Sequence, residues 1–281
     1  MGQLEWILYL TASSFYGISA VIYVISVVFK KEEWLRYGAL AAFVGILPHS
    51  GSLYMRWVES GHGPYMTMHE VFSSYAWVSI AVFLIVALRV ERIRLAGLVV
   101  VPVSFILMGV GATLSMDIYS IPASLSSYWL IAHVGFAKLT FGGILIGTGL
   151  AVLYLLNERQ EKGRGSEGMK QFLGRFPNKE TLDDLSYQFV SAGFLFLSVM
   201  IGAGAIWAYQ TWGRYWAWDP IETWSLIAWF VYGIYLHLRM NAGWKGKKAA
   251  WLLVFAIFIL AFSTFGVGFI YSGLHSAYMT P

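Results

Sequence analysis

Long apolar runs alternate with short polar stretches along the whole chain. Eight runs are long enough to cross a hydrocarbon core of about 30 Å as helices. They lie near residues 5–29, 36–57, 69–88, 94–115, 129–156, 185–209, 220–239 and 249–272. The pattern predicts an all-α polytopic membrane protein with about eight transmembrane helices, forming one integral membrane domain over 1–281. There is no sequence repeat and no water-soluble domain. The first run lacks a basic leader and a small-residue cleavage site, so it reads as a retained helix rather than a signal. Two polar interruptions stand out: a Trp-rich stretch over 207–224 and a longer loop over 157–184.

Composition agrees, with 58% hydrophobic and 12% charged residues, the balance of a membrane protein. Lys and Arg then set orientation. Placing both termini outside puts 16 of the 19 basic residues inside: Lys30, Lys31, Arg36, Arg89, Arg92, Arg94, Arg159, Lys162, Arg164, Lys170, Arg175, Lys179, Arg239, Lys245, Lys247 and Lys248. Arg56 and Arg214 fall outside, and Lys138 falls within a helix. This is the positive-inside bias. It makes the 157–184 loop cytoplasmic and the Trp-rich stretch external. It also accounts for the net charge of +4 without any nucleic-acid partner.

Six of the 13 tryptophans fall between Trp207 and Trp229. Indoles are ordinary at a membrane interface, but this density exceeds what anchoring needs and suits a flat aromatic platform for a large planar ligand. The stretch ends in Asp219-Pro220-Ile221-Glu222, which reads as a helix start with Asp219 at N-cap, Pro220 at N1 and Glu222 at N3. Asp219 and Glu222 thus have a capping role that is compatible with direct ligand contact.

The segment WGRYWAWDPIETW, residues 212–224, strongly resembles the "WWD" signature of the haem-handling proteins of cytochrome c biogenesis. Leu236–Arg239 (LHLR), Gly273–Ser276 (GLHS), Ser126–Phe136 (SSYWLIAHVGF) and Arg56–Pro64 (RWVESGHGP) extend the likeness. They narrow it to the CcsA/ResC type of the System II pathway. The chain has no cysteine. Any haem is therefore held non-covalently, as haem b, through side chains such as histidine.

His133, at the outer start of the fifth run, and His275, just past the eighth, sit at one membrane level beside the Trp-rich stretch. The family's two external haem ligands match these positions, which implies bis-histidine ligation. The loop residues expected to contact haem are Trp212, Trp216, Trp218, Asp219 and Trp224. His237 lies 18 residues beyond Asp219, roughly 27 Å along a helix rising ~1.5 Å per residue. The family carries a transmembrane ligand at this position. His49, after Pro48 in the second run, is a further candidate, although it lies well over ten Å from the depth of His237 on the same ~1.5 Å rise. His62 reads as a loop residue and His69 as a helix-start residue. Haem propionates call for cations, and the candidates are Arg214, Arg56 and Lys138, the last about 7 Å below His133 along the helix.

The resemblance implies haem transport and presentation for covalent attachment to apocytochrome c, in the haem-presenting subunit of a holocytochrome c synthase (haem lyase). It implies a CcsB/ResB-type membrane partner that supplies the other transmembrane ligand. The apocytochrome offers a Cys-x-x-Cys-His segment, and thiol-reducing proteins act indirectly. The location is a bacterial or archaeal plasma membrane, or a thylakoid. Alternatives are a haem exporter or chaperone of the CcmC type, a HemX-like regulatory protein, and a quinone-linked b-type electron-transfer subunit.

Overall fold

On the first helix the usual burial pattern is reversed. α1 (Gln3–Val28) buries Tyr9, Ala12, Tyr16, Ser19, Tyr23 and Ser26 along one face and leaves Leu4, Ile7, Ile18, Val21 and Val24 on the outside. Apolar side chains outside and hydroxyls inside is what a lipid solvent selects, because a polar group can find a partner only within the protein. The hydroxyls do so: Tyr9 donates to the Met108 carbonyl at 2.6 Å and Ser19 to the Gly38 carbonyl at 2.7 Å.

The computed structural model describes residues 2–119, 126–162, 167–174 and 177–275. Arg164 and Arg175 of the orientation argument, and Ser276 of the GLHS motif, lie outside the described residues. The described residues form helices without strands. After α1 come α2 (Glu33–Ser60), α3 (Met68–Arg89), α4 (Gly97–Ala112) and α5 (Tyr128–Glu161). They are followed by α6 (Glu167–Leu173), α7 (Lys179–Trp212), α8 (Pro220–Asn241), α9 (Lys247–Ala261) and α10 (Val267–Ile270). A 3₁₀ segment, Glu91–Ala96, leads into α4, and a π-helical turn, Phe262–Gly266, joins α9 to α10.

Each of the eight apolar runs coincides with a helix. Six helical stretches are long and apolar enough to cross a membrane: Gln3–Val28, Met68–Arg89, Ile93–Ala112, Tyr128–Glu161, Lys179–Trp212 and Lys247–Ile270. α2 and α8 are also long, but they carry His49, Arg56, Glu222, His237 and Arg239 among their apolar residues. The protein is a polytopic helical membrane protein.

The 157–184 stretch differs from a plain loop. α5 continues to Glu161, α7 begins at Lys179, and the short α6 stands between them. Glu158, Arg159, Gln160 and Glu161 are good helix formers, so an established helix extends through them at little cost. Asn178 restarts the chain as the N-cap of α7, accepting from Thr181 N–H at 2.9 Å.

The helices assemble around two intimate pairs, α1 with α2 and α5 with α7. Small residues set the second pair, with Gly147 on α5 meeting Val190 and Gly193 on α7 meeting Ile144. α3 packs on both α2 and α5 and joins the pairs, while α9 lies against α5 and α8. The start of α5, the end of α7, the start of α8 and the end of α9 therefore converge on one region.

Candidate functional site

A cleft of about 120 Å³, partly open to solvent, lies where these helix ends meet. His133 and His275 both line it, with Trp216, Glu222 and Lys138 among the other lining residues. The π-helical turn after α9 presents Ser263 and Thr264 to the same space, a common use of a π-bulge.

His133 is held by α7. Its Nδ1 lies 2.9 Å from the Met200 carbonyl oxygen. A carbonyl can only accept, so Nδ1 carries the proton and Nε2 keeps its lone pair. The ring fits because residue 204 is glycine: a Cβ there would stand 2.5 Å from His133 Nδ1.

His275 is held by the start of α8, in parallel fashion. Its Nδ1 lies 2.9 Å from Asp219 Oδ1, which again fixes Nδ1–H and leaves the Nε2 lone pair. Asp219 does several jobs at once. Its Oδ1 accepts from Ile221 N–H at 3.0 Å, and Oδ2 accepts from Leu274 N–H at 2.6 Å. Gly273 permits this approach, since a Cβ there would collide with the Asp219 carboxylate and with Pro220. Glu222 closes the capping box from the other side, its Oε2 accepting from Asp219 N–H at 3.2 Å and from Ala217 N–H at 2.8 Å. Burial works against ionising Asp219. The hydrogen bond from His275 and the two backbone N–H groups outweigh burial and hold the carboxyl below its ordinary value.

Trp207, the last buried tryptophan of α7, joins the two histidines. Its ring centroid is 6.3 Å from that of His133, in a near-stacked arrangement, and 5.6 Å from that of His275. Trp212 closes on His275 at 5.0 Å. Trp207 Nε1 is buried with no hydrogen-bond partner among the described residues. No described residue bonds Nε2 of either histidine. Two imidazole lone pairs beside one indole wall are a donor set suited to haem iron or another imidazole-binding transition metal.

The remaining expected residues divide. Trp216 lines the cleft and meets Trp218 at 5.8 Å, edge to face. Trp218 is 70% exposed, and its backbone is left-handed at φ 57°, an uncommon conformation for a bulky residue. Trp224 packs against Phe262 at 4.5 Å, bracing the π-helical turn. Arg214 is exposed on the loop and does not line the cleft.

Arg56 stands elsewhere, buried among α1, α2 and α3. It bonds Glu5 at 2.9 Å, approaches Glu70 at 3.7 Å, and donates to the Met116 and Asp117 carbonyls. Those acceptors come from sequence positions that the charge count could not relate, and they occupy the guanidinium that the sequence offered to propionates. His49 is likewise a fully buried core residue, with Tyr16 Oη at 3.1 Å on Nδ1 and Ser73 Oγ at 3.0 Å on Nε2. His62 lies between the Gly63 and Tyr119 carbonyls, and His69 lies at the start of α3 bonded to the Gly111 carbonyl. His237 sits at the far end of α8, exposed, with Asn241 at 3.1 Å from its Nδ1. Below it, Arg239 forms a buried bidentate pair with Asp183, both oxygens at 2.7 Å.

Sequence reasoning did not find Trp207, Met200, Gly204 or Gly273 as site residues. The small-residue run Ile201–Ile206 was the available signal for a close approach to α7.

Comparison with known proteins bears on this arrangement. The sequence profile of the family described as Cytochrome C assembly protein matches residues 37–275. A cytochrome c biogenesis protein CcsA from Trieres chinensis is 31% identical over 95% of this chain and 96% of its own length. The CcsA proteins of Guillardia theta and Parasynechococcus marenigrum (strain WH8102) are 33% and 34% identical, over 92% and 84% of this chain and 91% and 84% of their own lengths. Among solved structures, the cytochrome c haem lyase CcmF aligns with a TM-score of 0.69 over 93% of this chain at 18% identity, a likeness of fold. This chain spans 46% of that longer one. The protein belongs to the cytochrome c assembly family and is of the CcsA type.

Proposed function

We propose that the chain is the haem-handling membrane subunit of a holocytochrome c synthase, presenting haem b for covalent attachment to the Cys-x-x-Cys-His segment of an apocytochrome c. One observation carries this reading. His133 and His275 each tie down Nδ1–H and keep Nε2 open beside one indole wall. A second group that orients the imidazole is the usual support of a metal-ligating histidine.

The residues present fit the group. The donors are two neutral imidazoles, the cleft wall is aromatic, and no cysteine competes for a covalent bond. A bound haem supplies the vinyl groups to which the substrate thiols add. The chain's own residues position and shelter it. Asp219 and the Met200 carbonyl fix the imidazoles, Trp207 and Trp212 exclude water, and Trp218 faces outward for contact with the substrate. The solved neighbour is named a haem lyase, which accords with this role.

In the membrane, we read eight crossings with both termini and the Trp-rich loop on the extracytoplasmic side, following the Lys and Arg bias. His237 then lies toward the cytoplasm as the ligand of a separate inner haem. The α8 face around it is exposed and apolar, with Phe230, Ile234 and Met240, so a CcsB/ResB-type subunit would supply the further ligand that an inner haem needs. Asn241 Nδ2 donates to His237 Nδ1 at 3.1 Å, so ligation through Nε2 requires the amide turned to present Oδ1 instead. That leaves Nε2 for iron.

The test is the absorption spectrum of the purified protein together with its partner subunit. A split low-spin α/β pattern in the reduced state, diminished in His133→Gly by the outer haem's share and regained on adding imidazole, supports the reading. A wild-type protein without low-spin haem refutes it.

A further inference from the structure

The cleft contains one cation among its described lining residues, and that cation has donors to spare. Lys138 is 8% exposed, and its Nζ donates to the Pro64 carbonyl at 3.1 Å. An ammonium has three N–H groups, and no other described group accepts from this one. No carboxylate stands within ion-pair distance of it among the described residues. Glu222, the carboxylate on the cleft wall, has Oε2 committed to Ala217 and Asp219. Glu70 Oε2 accepts from Met66 and Thr67 N–H at the start of α3, and its Oε1 lies 3.7 Å from Arg56 without a hydrogen-bond partner of its own among the described residues. Two residues on, Thr140 also lines the cleft, 1% exposed, with a buried hydroxyl lacking a partner. Buried polar groups without partners are costly. Thr140, without a partner, and Lys138, with one partner for three N–H donors, line one cleft and mark a place where a ligand group completes the bonding.

We propose that Lys138, assisted by Thr140, docks a carboxylate arm of the ligand and so sets which edge of it points inward. This rests on the haem reading above. Lys138 lies five residues from His133 on the same helix, roughly 7.5 Å along the axis. That is the scale of the distance from a porphyrin's central metal to a carboxylate on its rim. A propionate there satisfies the spare ammonium donors and the Thr140 hydroxyl in one step. Lys138 is also deeper along α5 than His133, which lies nearer the helix start at Tyr128. The propionate edge therefore faces the protein interior. The opposite edge faces the loop at residues 213–219, where an incoming thiol has access. Arg56, held by Glu5 and Glu70, and Arg214, away from the cleft, leave this role to Lys138.

The experiment is a chemical double-mutant cycle. Ferric haem and its dimethyl ester, whose carboxylates are neutralised, are titrated into the full-length protein and into Lys138→Met, with affinity read from absorbance. Wild type is expected to prefer haem by roughly tenfold or more, the scale of a charge-assisted hydrogen bond. Lys138→Met is expected to bring the ratio close to one while both ligands remain low-spin, and Lys138→Arg to restore much of it. If Lys138→Met does not fold, Lys138→Gln, which keeps a donor for the Pro64 carbonyl, reads the same ratio. A wild-type preference that survives in the neutral variant overturns the proposal while leaving the bis-histidine reading intact. Absence of low-spin binding of either ligand to the wild type overturns both.

Discussion

In the α1–α3 bundle, His49 has a hydroxyl on each ring nitrogen, and Arg56 has two carboxylates and two carbonyls around its guanidinium. Across the molecule, His133 and His275 have one nitrogen restrained and the other open toward a cleft. Both regions bury ionisable side chains in a membrane protein, where such residues are functional candidates by default. The difference lies in how far the chain satisfies them itself. In the first region the chain itself satisfies His49 and the Arg56 guanidinium, although Glu5 Oε2 and Glu70 Oε1 beside Arg56 keep no hydrogen-bond partner among the described residues. In the second, the functional atoms themselves are left short: the Nε2 of each histidine, the spare N–H groups of Lys138, Thr140 Oγ1 and Trp207 Nε1. A binding site for a large polar-edged ligand would leave such a pattern.

Removing Arg56 tests the first region and should have the largest effect on folding. Arg56→Met leaves Glu5 and Glu70 together in a buried site without their shared cation. Breaking a buried pair from one side costs about 3–5 kcal/mol. The expected outcome is a large loss of folded protein in detergent by thermal unfolding, with no recovery on adding imidazole. A variant with wild-type stability would show that the cluster is not structural and would blur the contrast between the two regions.

His133→Gly and His275→Gly test the second region. Each should keep the fold, abolish cytochrome c maturation and lose the low-spin haem of the outer site only, with imidazole restoring that part of the spectrum in place of the missing ring. His49→Gly should show the opposite profile, with lower stability and no response to imidazole. If the three variants behaved alike, the distinction between satisfied and open histidines would fail.

How much of this could be read from the chain depended on sequence distance. The helices were legible because apolar runs of membrane length leave few alternatives. The Asp219–Glu222 cap was legible because its signals lie within four residues, and the structure forms it as a capping box. The partners that decide what each residue does come from far along the chain. Asp219 reaches His275 across 56 positions, Arg56 reaches Glu5 across 51, and His133 reaches Met200 across 67. A histidine looks the same in sequence whether its nitrogens are spent or free, so His49 and His133 could not be separated by pattern alone. The same holds for Arg56 and Lys138 as cations.

His237 extends the comparison to the other end of α8, where the side chain is exposed. It is exposed, so His237→Ala should leave stability within about 0.5 kcal/mol, as for most surface substitutions. If haem enters at this end and moves outward, the same variant should empty both the inner and the outer sites, whereas His275→Ala should empty only the outer one. Haem content and redox spectra of the two variants, purified with the partner subunit, give the answer. An outer haem fully loaded without His237 would break the conduit model and leave two independent sites.

The smallest expected effect is at Asp219, where architecture and site share one side chain. Asp219→Ala loses the N-cap of α8, worth about 1 kcal/mol, and also frees the His275 ring to turn. Asp219→Asn keeps an oxygen for Ile221 N–H and for His275 Nδ1–H, so it should be milder in both respects. An Asn variant as defective as the Ala variant would show that the charge itself is needed. The pH dependence sharpens this. Because the folded carboxyl titrates below its ordinary value of 3.8, ionised Asp219 favours the folded state at all pH values above that ordinary value. The contribution fades as pH falls through the depressed folded value, where the carboxylate takes up a proton. Wild type should therefore lose its stability advantage over Asp219→Asn only in that acidic window, and thermal unfolding of the two proteins across it measures the difference. A gap that stays constant down to the lowest pH would mean that the cap and the histidine restraint need only a hydrogen-bond acceptor, not its charge.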